Sequence, residues 1–347
     1  MQNKSNFRAK KILVTGGTGT IGKTLLKHLL LTEAEEIRLF DNNEAELFYI
    51  ADEHRGDSRI AVFLGDVRDR DKLLKITRGV DIVFHTAAFK HVILSELNPF
   101  DVIQTNINGT QNVIEAALVN NIGKVIFTSS DKAVNPTNVM GASKLMAEKL
   151  ITAANTIRYD KNTIFASTRF GNVLGSRGSV VPVFKKQIKN GGPVTVTDNR
   201  MTRFVMTVDE AAGLVIESSM IAKGGEVFVA KMPVIGISDL ADIMIEILAP
   251  VYGYSPDDIE VVEIGKKPGE KLYEELMSAE EMNRAAELEN MFVIFPAFRD
   301  LYKIEYIYDG IISQDVNKPY ISSEEVFMSK ENLRTYISKN GLLEDIH

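Results

Sequence analysis

The 347-residue sequence contains no cysteine, which excludes disulfides and thiolate metal sites and fits a reducing compartment. It has no apolar run near the roughly 18 residues a membrane-spanning helix needs. The opening MQNKSNFRAKKILVTGG holds no apolar stretch long enough for a secretory signal, so the chain reads as soluble and cytoplasmic, without a membrane segment. No basic block accompanies the net charge of -7, which removes the electrostatic footprint expected of a nucleic-acid or anionic-membrane partner. The five histidines are scattered, and no His/Asp/Glu grouping has metal-ligand spacing. What is left is an ordinary globular composition, 45% hydrophobic and 25% charged, in a chain long enough for one large domain or two closely joined ones.

The first half alternates short apolar runs with longer amphipathic stretches. KILVTG, EIRLFD, IAVFLGD, DIVFHTAA, KVIFTSS and TIFASTRFG each read as a buried strand followed by a helical pattern. Parallel strands need crossover connections and are apolar on both faces, so this order predicts an α/β fold built on a Rossmann-like, doubly wound parallel sheet. Beyond about residue 172, Gly- and Pro-marked segments such as GSRGSVVP and NGGPVTVTD predict a smaller C-terminal lobe that interleaves with the first. The expected division is a dinucleotide-binding domain of residues 1–171 plus about 204–232, and a substrate-binding lobe of about 172–203 and 233–347. The last thirty residues are polar enough for either a mobile tail or an ordered cap.

TGGTGTIG, residues 15–22, follows a predicted strand and opens a helical pattern. Gly16, Gly19 and Gly22 permit a tight turn, close backbone approach to a pyrophosphate and close helix packing, and Thr20 and Ile21 begin the helix whose N–H groups face the phosphates. Asp41 ends the second strand, where a carboxylate accepts hydrogen bonds from both adenosine ribose hydroxyls and repels a 2'-phosphate; Asn42, Asn43 and Glu44 supply no compensating cation, so NAD is expected over NADP. The competing reading is that Asp41 caps the next helix. Asp66 and Val67 end the third strand and would flank the adenine, and Ala87 and Ala88 end the fourth beside the cofactor.

These elements, with Asn106 in TNINGT and a YxxxK-like element, resemble the extended short-chain dehydrogenase/reductases over at least the first 210 residues. AAFKHV (87–92), SSDKAVNPTNVMGASK (129–144), TRFGNVLGSRGSVVPVF (168–184), TVTDNRMTRF (195–204) and PGEKLYEEL (268–276) are most similar to the UDP-N-acetylglucosamine 4,6-dehydratases of bacterial polysaccharide biosynthesis. The resemblance implies a tightly bound NAD that oxidises the sugar at C4 and reduces it at C6 after loss of water, so that NAD is regenerated. It implies that Asp131 protonates the C6 leaving group, Lys132 handles the C5 proton, and Ser130, usually threonine in the family, hydrogen-bonds O4. Lys144 would hold the nicotinamide ribose, while Met140 stands where most of the superfamily has the tyrosine base, four residues before Lys144 and on the same helical face. A thioether moves no proton, so Asp131 or a held water is expected to take the O4 proton. Work as a base near neutral pH would require the Lys132 pKa to fall by several units from about 10.4.

For the sugar nucleotide, the resemblance implies contacts from Asn172, Arg177 and Arg203, the two arginines as diphosphate clamps, from Lys90, and from Glu270 to the uridine ribose, with Lys267 in place of a usual arginine and His91 as a structural hydrogen-bonder. PGEKLYEEL is expected to turn and then run into a helix. NPTNVMGASK resembles especially the family members that retain configuration at C5. A C5-inverting 4,6-dehydratase, a UDP-sugar 4-epimerase and a non-catalytic NAD-binding sensor are the alternatives, and the family implies a homo-oligomer, a dimer or larger ring.

Overall fold

The computed structural model describes residues 5, 7–157, 163–176, 178–266, 268–302 and 304–343. Through residue 170 strands and helices alternate as the apolar runs predict. The order is β1 (Lys11–Thr15), α1 (Thr20–Leu30), β2 (Glu36–Asp41), α2 (Glu44–Glu53), β3 (Ile60–Leu64), α3 (Arg70–Ile76) and β4 (Ile82–His85). The short helices α4 (Val92–Leu97) and α5 (Pro99–Val102) follow, then a π-helical stretch Ile103–Asn108, α6 (Gly109–Val119), β5 (Lys124–Ser130), α7 (Val139–Ala154) and β6 (Ile164–Phe170).

The second half continues with β7 (Asn172–Val173), α8 (Val180–Lys189), β8 (Val194–Val196), β9 (Thr202–Met206), α9 (Val208–Ile221), β10 (Val227–Ala230), β11 (Val234–Gly236) and α10 (Ile237–Leu248). It ends with β12 (Val261–Glu263), β13 (Glu275–Met277), α11 (Ala279–Met282), β14 (Ala285–Glu287), β15 (Met291–Ile294), α12 (Arg299–Tyr302), β16 (Tyr320–Ile321) and α13 (Lys330–Lys339).

A nine-stranded sheet of order β14-β15-β10-β6-β5-β4-β1-β2-β3 carries the molecule. Neighbours from β3 to β10 run parallel, and β15 and β14 add an antiparallel edge. Period-2 alternation splits the central strands between two cores: Ile12 and Val14 of β1 pack with α1 and α9, while Leu13 packs with α3, α6 and α7 on the opposite face. The order reverses at β1, between β2 and β4, and the carboxyl ends of these strands open the crevice where ligands of such sheets bind.

The smaller lobe is made of the sheets β11-β9-β7, β12-β8 and β13-β16, and a separate core packs α8, α10 and α13 together. The expected division of the chain needs two corrections. Residues 285–287 and 291–294 lie in the large sheet, because their buried apolar side chains, Ala286 and Val293 among them, complete the main core at the β10 edge. Residues 204–206 lie in β9, which hydrogen-bonds to β7 and β11 of the smaller lobe. The C-terminal stretch is an ordered cap as far as residue 343, since α13 buries Leu333 and Ile337 against that lobe.

Between the lobes lies a buried ion cluster. Arg169 of β6 donates from Nε and Nη2 to Glu148 of α7 at 3.0 and 2.6 Å, and from Nη1 and Nη2 to Glu281 of α11 at 3.0 and 2.9 Å. A further Nη1 bond reaches the Leu276 carbonyl at 2.9 Å. Burial alone would raise the Glu281 acid, but Arg169 overrides it and holds the pKa down at about 2. Removing the cation strands two buried carboxylates, so Arg169→Met is expected to lower unfolding free energy by about 3–5 kcal/mol in urea melts. Glu281 is depressed on folding from 4.5, so its contribution is complete above that pH and is lost as pH falls toward about 2. A Glu281→Gln variant should therefore lose less stability than the parent between pH 5 and pH 3, roughly the window that linkage sets.

Candidate active site

The turn after β1 is shaped by where side chains cannot fit. Gly16 has φ +69°, and a Cβ there would lie 2.7 Å from the Ala87 amide nitrogen, so the loops after β1 and β4 run against each other. A Cβ on Gly22 would lie 2.2 Å from the Gly16 carbonyl oxygen, which lets α1 start directly on the turn. No side chain caps α1, and its first turn has no acidic residue, leaving free N–H donors and an unopposed positive helix end. Asp41 accepts from the Thr18 and Asn43 amides, each at 3.0 Å, and so fastens the glycine turn to the end of β2. The cap of α2 is Asn43, not Asp41. Asp66 is oriented by Arg68 at 2.8 Å and Asn42 at 3.1 Å. Gly16, Gly19, Thr20, Ile21, Asp41, Asp66, Val67, Ala87 and Ala88 line one cavity of about 410 Å³, with Gly22 packed behind it. An uncapped helix end, a glycine cradle and a carboxylate at the end of β2 fit a dinucleotide.

That cavity opens into a second, about 270 Å³, lined together by Ser130, Asp131, Lys132, Met140 and Lys144. Ser130 ends β5 and donates to Asp131 Oδ1 at 2.6 Å, and the Lys132 amide donates to the same oxygen at 2.9 Å. Lys132 Nζ lies 3.1 and 3.2 Å from the two Asp131 oxygens. The catalytic turn and α7 meet at Gly141, where a Cβ would stand 2.2 Å from the Lys132 carbonyl oxygen. Asn106, in the π-helical stretch, binds both backbone groups of Phe89 and donates to Ser143 Oγ at 2.8 Å, tying the loop after β4 to α7.

Two lysines share this cavity under opposite fields. Burial lowers the Lys144 ammonium to about 8 against a weaker pull from Glu148, while Nζ donates to the Thr128 carbonyl at 2.9 Å and sits 4.6 Å from the Phe127 ring. Burial also disfavours charge on Lys132, but Asp131 and Glu274 prevail and hold it above its ordinary value. The expected fall of the Lys132 pKa is therefore reversed in this state: the group stands as one half of an ion pair.

A third cavity, about 600 Å³, continues from Lys132 and is lined by Lys90, Asn172, Arg203, Glu270 and Glu274. Lys90 and His91 line all three cavities, which form one groove. The His91 ring packs against Gly178, where a Cβ would come within 2.5 Å of it. Asn172 Oδ1, Glu270 Oε2 and Glu274 Oε2 are buried acceptors with no hydrogen-bond partner among the described residues. Arg203 does not present the open fork expected of a diphosphate clamp: it donates to the carbonyls of Thr202, Leu272 and Lys271 at 2.8, 3.2 and 2.9 Å. Arg177 and Lys267 lie outside the described residues.

PGEKLYEEL forms a turn leading into β13, not a helix. Its backbone is committed elsewhere, since Thr202 N donates to Leu272 O, and Glu274 exchanges bonds with Ser322 through N and O. This path delivers Glu274, a residue the motif reading passes over, to within 3.5 Å of Lys132 Nζ and 3.6 Å of Arg203 Nε.

A family model described as polysaccharide biosynthesis protein matches residues 12–296. A Campylobacter jejuni protein named UDP-N-acetylglucosamine 4,6-dehydratase (inverting) is 42% identical over 98% of both chains. The chain belongs to this extended short-chain dehydrogenase/reductase family. A Methanocaldococcus jannaschii relative, 49% identical over 99% of both chains, is named only as an uncharacterized membrane protein. Among the described residues no helix here is long and apolar enough to cross a membrane. A Rickettsia typhi protein named UDP-glucose 4-epimerase is 39% identical over 91% of this chain and 92% of its own length. The solved structure of Pen from Bacillus thuringiensis matches 97% of this chain and 99% of its own, with 44% identity and a TM-score of 0.90.

Asp41 lines the cavity at the place where a dinucleotide's ribose hydroxyls would meet a charged acceptor, and a bond of that kind contributes about 1.5–3 kcal/mol. Asp41→Ala is expected to weaken NAD binding by about ten- to hundred-fold for each ribose bond lost and to narrow the preference over NADP, both read by calorimetric titration.

Proposed function

We propose that the chain is an NAD-dependent UDP-N-acetylglucosamine 4,6-dehydratase that retains configuration at C5, a hydro-lyase of glycan precursor synthesis. The observation that carries this reading is the Ser130–Asp131–Lys132 cluster at the junction between a dinucleotide-shaped cavity and a cavity lined by unpartnered acceptors. Acceptors of that kind suit a ligand rich in hydroxyl and amide N–H donors, such as an N-acetylated sugar. Bound NAD would be held by the glycine turn, Asp41 and Lys144, and supplies oxidation at C4 and reduction at C6.

The side chains account for the protons. The O4 hydroxyl donates to Ser130 Oγ, whose own proton already points to Asp131 Oδ1, so the O4 proton passes through Ser130 to Asp131. Asp131 is then a neutral acid, ready to protonate the departing C6 oxygen as water. Neutralising Asp131 also removes one of the two carboxylates that hold Lys132 as an ammonium. Its proton leaves through the exposed quarter of the side chain, and neutral Lys132 takes the C5 proton and later returns it.

Epimerisation needs a base at C4 and none at C5 or C6, and Met140 occupies the position of the usual tyrosine base. Retention rests on the NPTNVMGASK context, and the Campylobacter relative's name favours inversion as the second reading. Incubation with UDP-N-acetylglucosamine should give a product lighter by one water with no net NADH, its C5 coupling unchanged in configuration by NMR. A product of unchanged mass would support the epimerase instead. Asp131→Asn should slow water loss by about 10²–10⁴-fold.

A further inference from the structure

We propose that Glu274 is a positioning residue that holds the Lys132 ammonium between two carboxylates and so sets the pH at which Lys132 exchanges protons. The setting is geometric. Lys132 Nζ has Asp131 oxygens at 3.1 and 3.2 Å on its own turn and Glu274 Oε1 at 3.5 Å from the segment before β13. The other charged group facing it is Arg203 of β9, itself 3.6 Å from Glu274, and Lys271 also acts on Glu274 from the same segment. Glu274 is 3% exposed, so its field on Lys132 is weakly screened, and Oε2 has no protein partner among the described residues.

Asp131 is paired with Lys132 by adjacency in sequence. Glu274 is a second carboxylate: burial and the Asp131 charge push its proton affinity up while Lys132, Arg203 and Lys271 pull it down, and protonation of Asp131 removes one of the influences that disfavour its charge. With Asp131 neutral, Glu274 is the remaining anion beside Lys132, and it governs how readily the ammonium releases its proton. The role in C5 chemistry rests on the dehydratase reading, whereas the effect on the Lys132 proton affinity does not.

Two readouts separate these levels. Competitive acetylation followed by peptide mass spectrometry gives the pH midpoint of labelling for individual lysines. Glu274→Gln is expected to lower the Lys132 midpoint by roughly one pH unit or more and to leave Lys144 unmoved, since an opposite charge at this range shifts a pKa by that order. A Lys132 midpoint unchanged in the variant, or an equal shift at both lysines, overturns the proposal. Should Glu274→Gln fail to fold, Glu274→Met removes the buried charge at similar volume and carries the same expectation.

The second readout is the pH dependence of dehydration. Neutral Lys132 is the active form, so kcat rises with pH through its pKa in the substrate complex, and the rising limb should move to lower pH in Glu274→Gln, in the same direction as the labelling midpoint. A limb that stays in place while the midpoint moves overturns the link between Glu274 and C5 chemistry. If the parent protein leaves UDP-N-acetylglucosamine unchanged, the dehydratase reading fails, and the labelling experiment still decides what Glu274 does.

Discussion

All five N–H donors of Arg169 are spent inside the protein, on Glu148, Glu281 and the Leu276 carbonyl, and the active-site geometry hangs on that fact. Glu148 lies on α7, the helix that also carries Met140 and Lys144. Leu276 lies in β13, two residues beyond Glu274. One planar guanidinium on a central strand thus fixes α7 and the segment before β13 in a common frame. Lysine could not replace it, because a point charge with three donors cannot satisfy two carboxylates in forked geometry and a carbonyl as well. Smaller ties repeat the attachment nearer the site: Lys271 Nζ to the Val134 carbonyl at 2.9 Å, and Asn138 Nδ2 to the Gly269 carbonyl at 3.1 Å.

The two lysines of the groove show how partners decide what burial does. Full burial of an ammonium shifts its pKa down by 3–5 units at most, roughly 4–7 kcal/mol. A carboxylate at 3.1–3.5 Å returns about 5 kcal/mol at an effective dielectric constant near 20. One such neighbour nearly cancels the penalty, and two exceed it. Lys132 has two and stands charged; Lys144 has a carbonyl and a ring face at short range, and its affinity falls. The base role proposed for Lys132 therefore requires a change in its neighbours' charge, and protonation of Asp131 would be such a change.

Features whose signal is local were legible in the sequence. The six apolar runs became parallel strands because each had the length and two-faced burial of a central strand, and Gly16, Gly22 and Asp41 were readable because their spacing sits within one strand-turn-helix unit. The Ser130–Lys132 turn was found through its place after β5. The rest depended on distant partners. The edge strands β14 and β15 are too short for a periodic signal, and what marks them is the main core they complete. KLYEEL has a helix-like apolar spacing, but its carbonyls and amides are claimed by residues 202, 203 and 322. The charge on Lys132 depends on Glu274, far along the chain, and no motif spacing contains that distance.

The same dependence explains why methionine is tolerable at position 140. A tyrosine base there would need a cation to depress its pKa, and Lys144, lowered by burial to about 8, still carries its charge at neutral pH, so what position 140 lacks is the phenol and not the cation. Here Ser130 and Asp131 already form a 2.6 Å donor-acceptor pair beside the cavity, which in the proposed mechanism gives a proton leaving O4 a route to the group that would protonate the C6 oxygen. The thioether, 3% exposed and without a transferable proton, keeps the transfer on the Asp131 side. In the proposed mechanism the Ser130–Asp131 pair thus receives the proton that a phenol at position 140 would otherwise take.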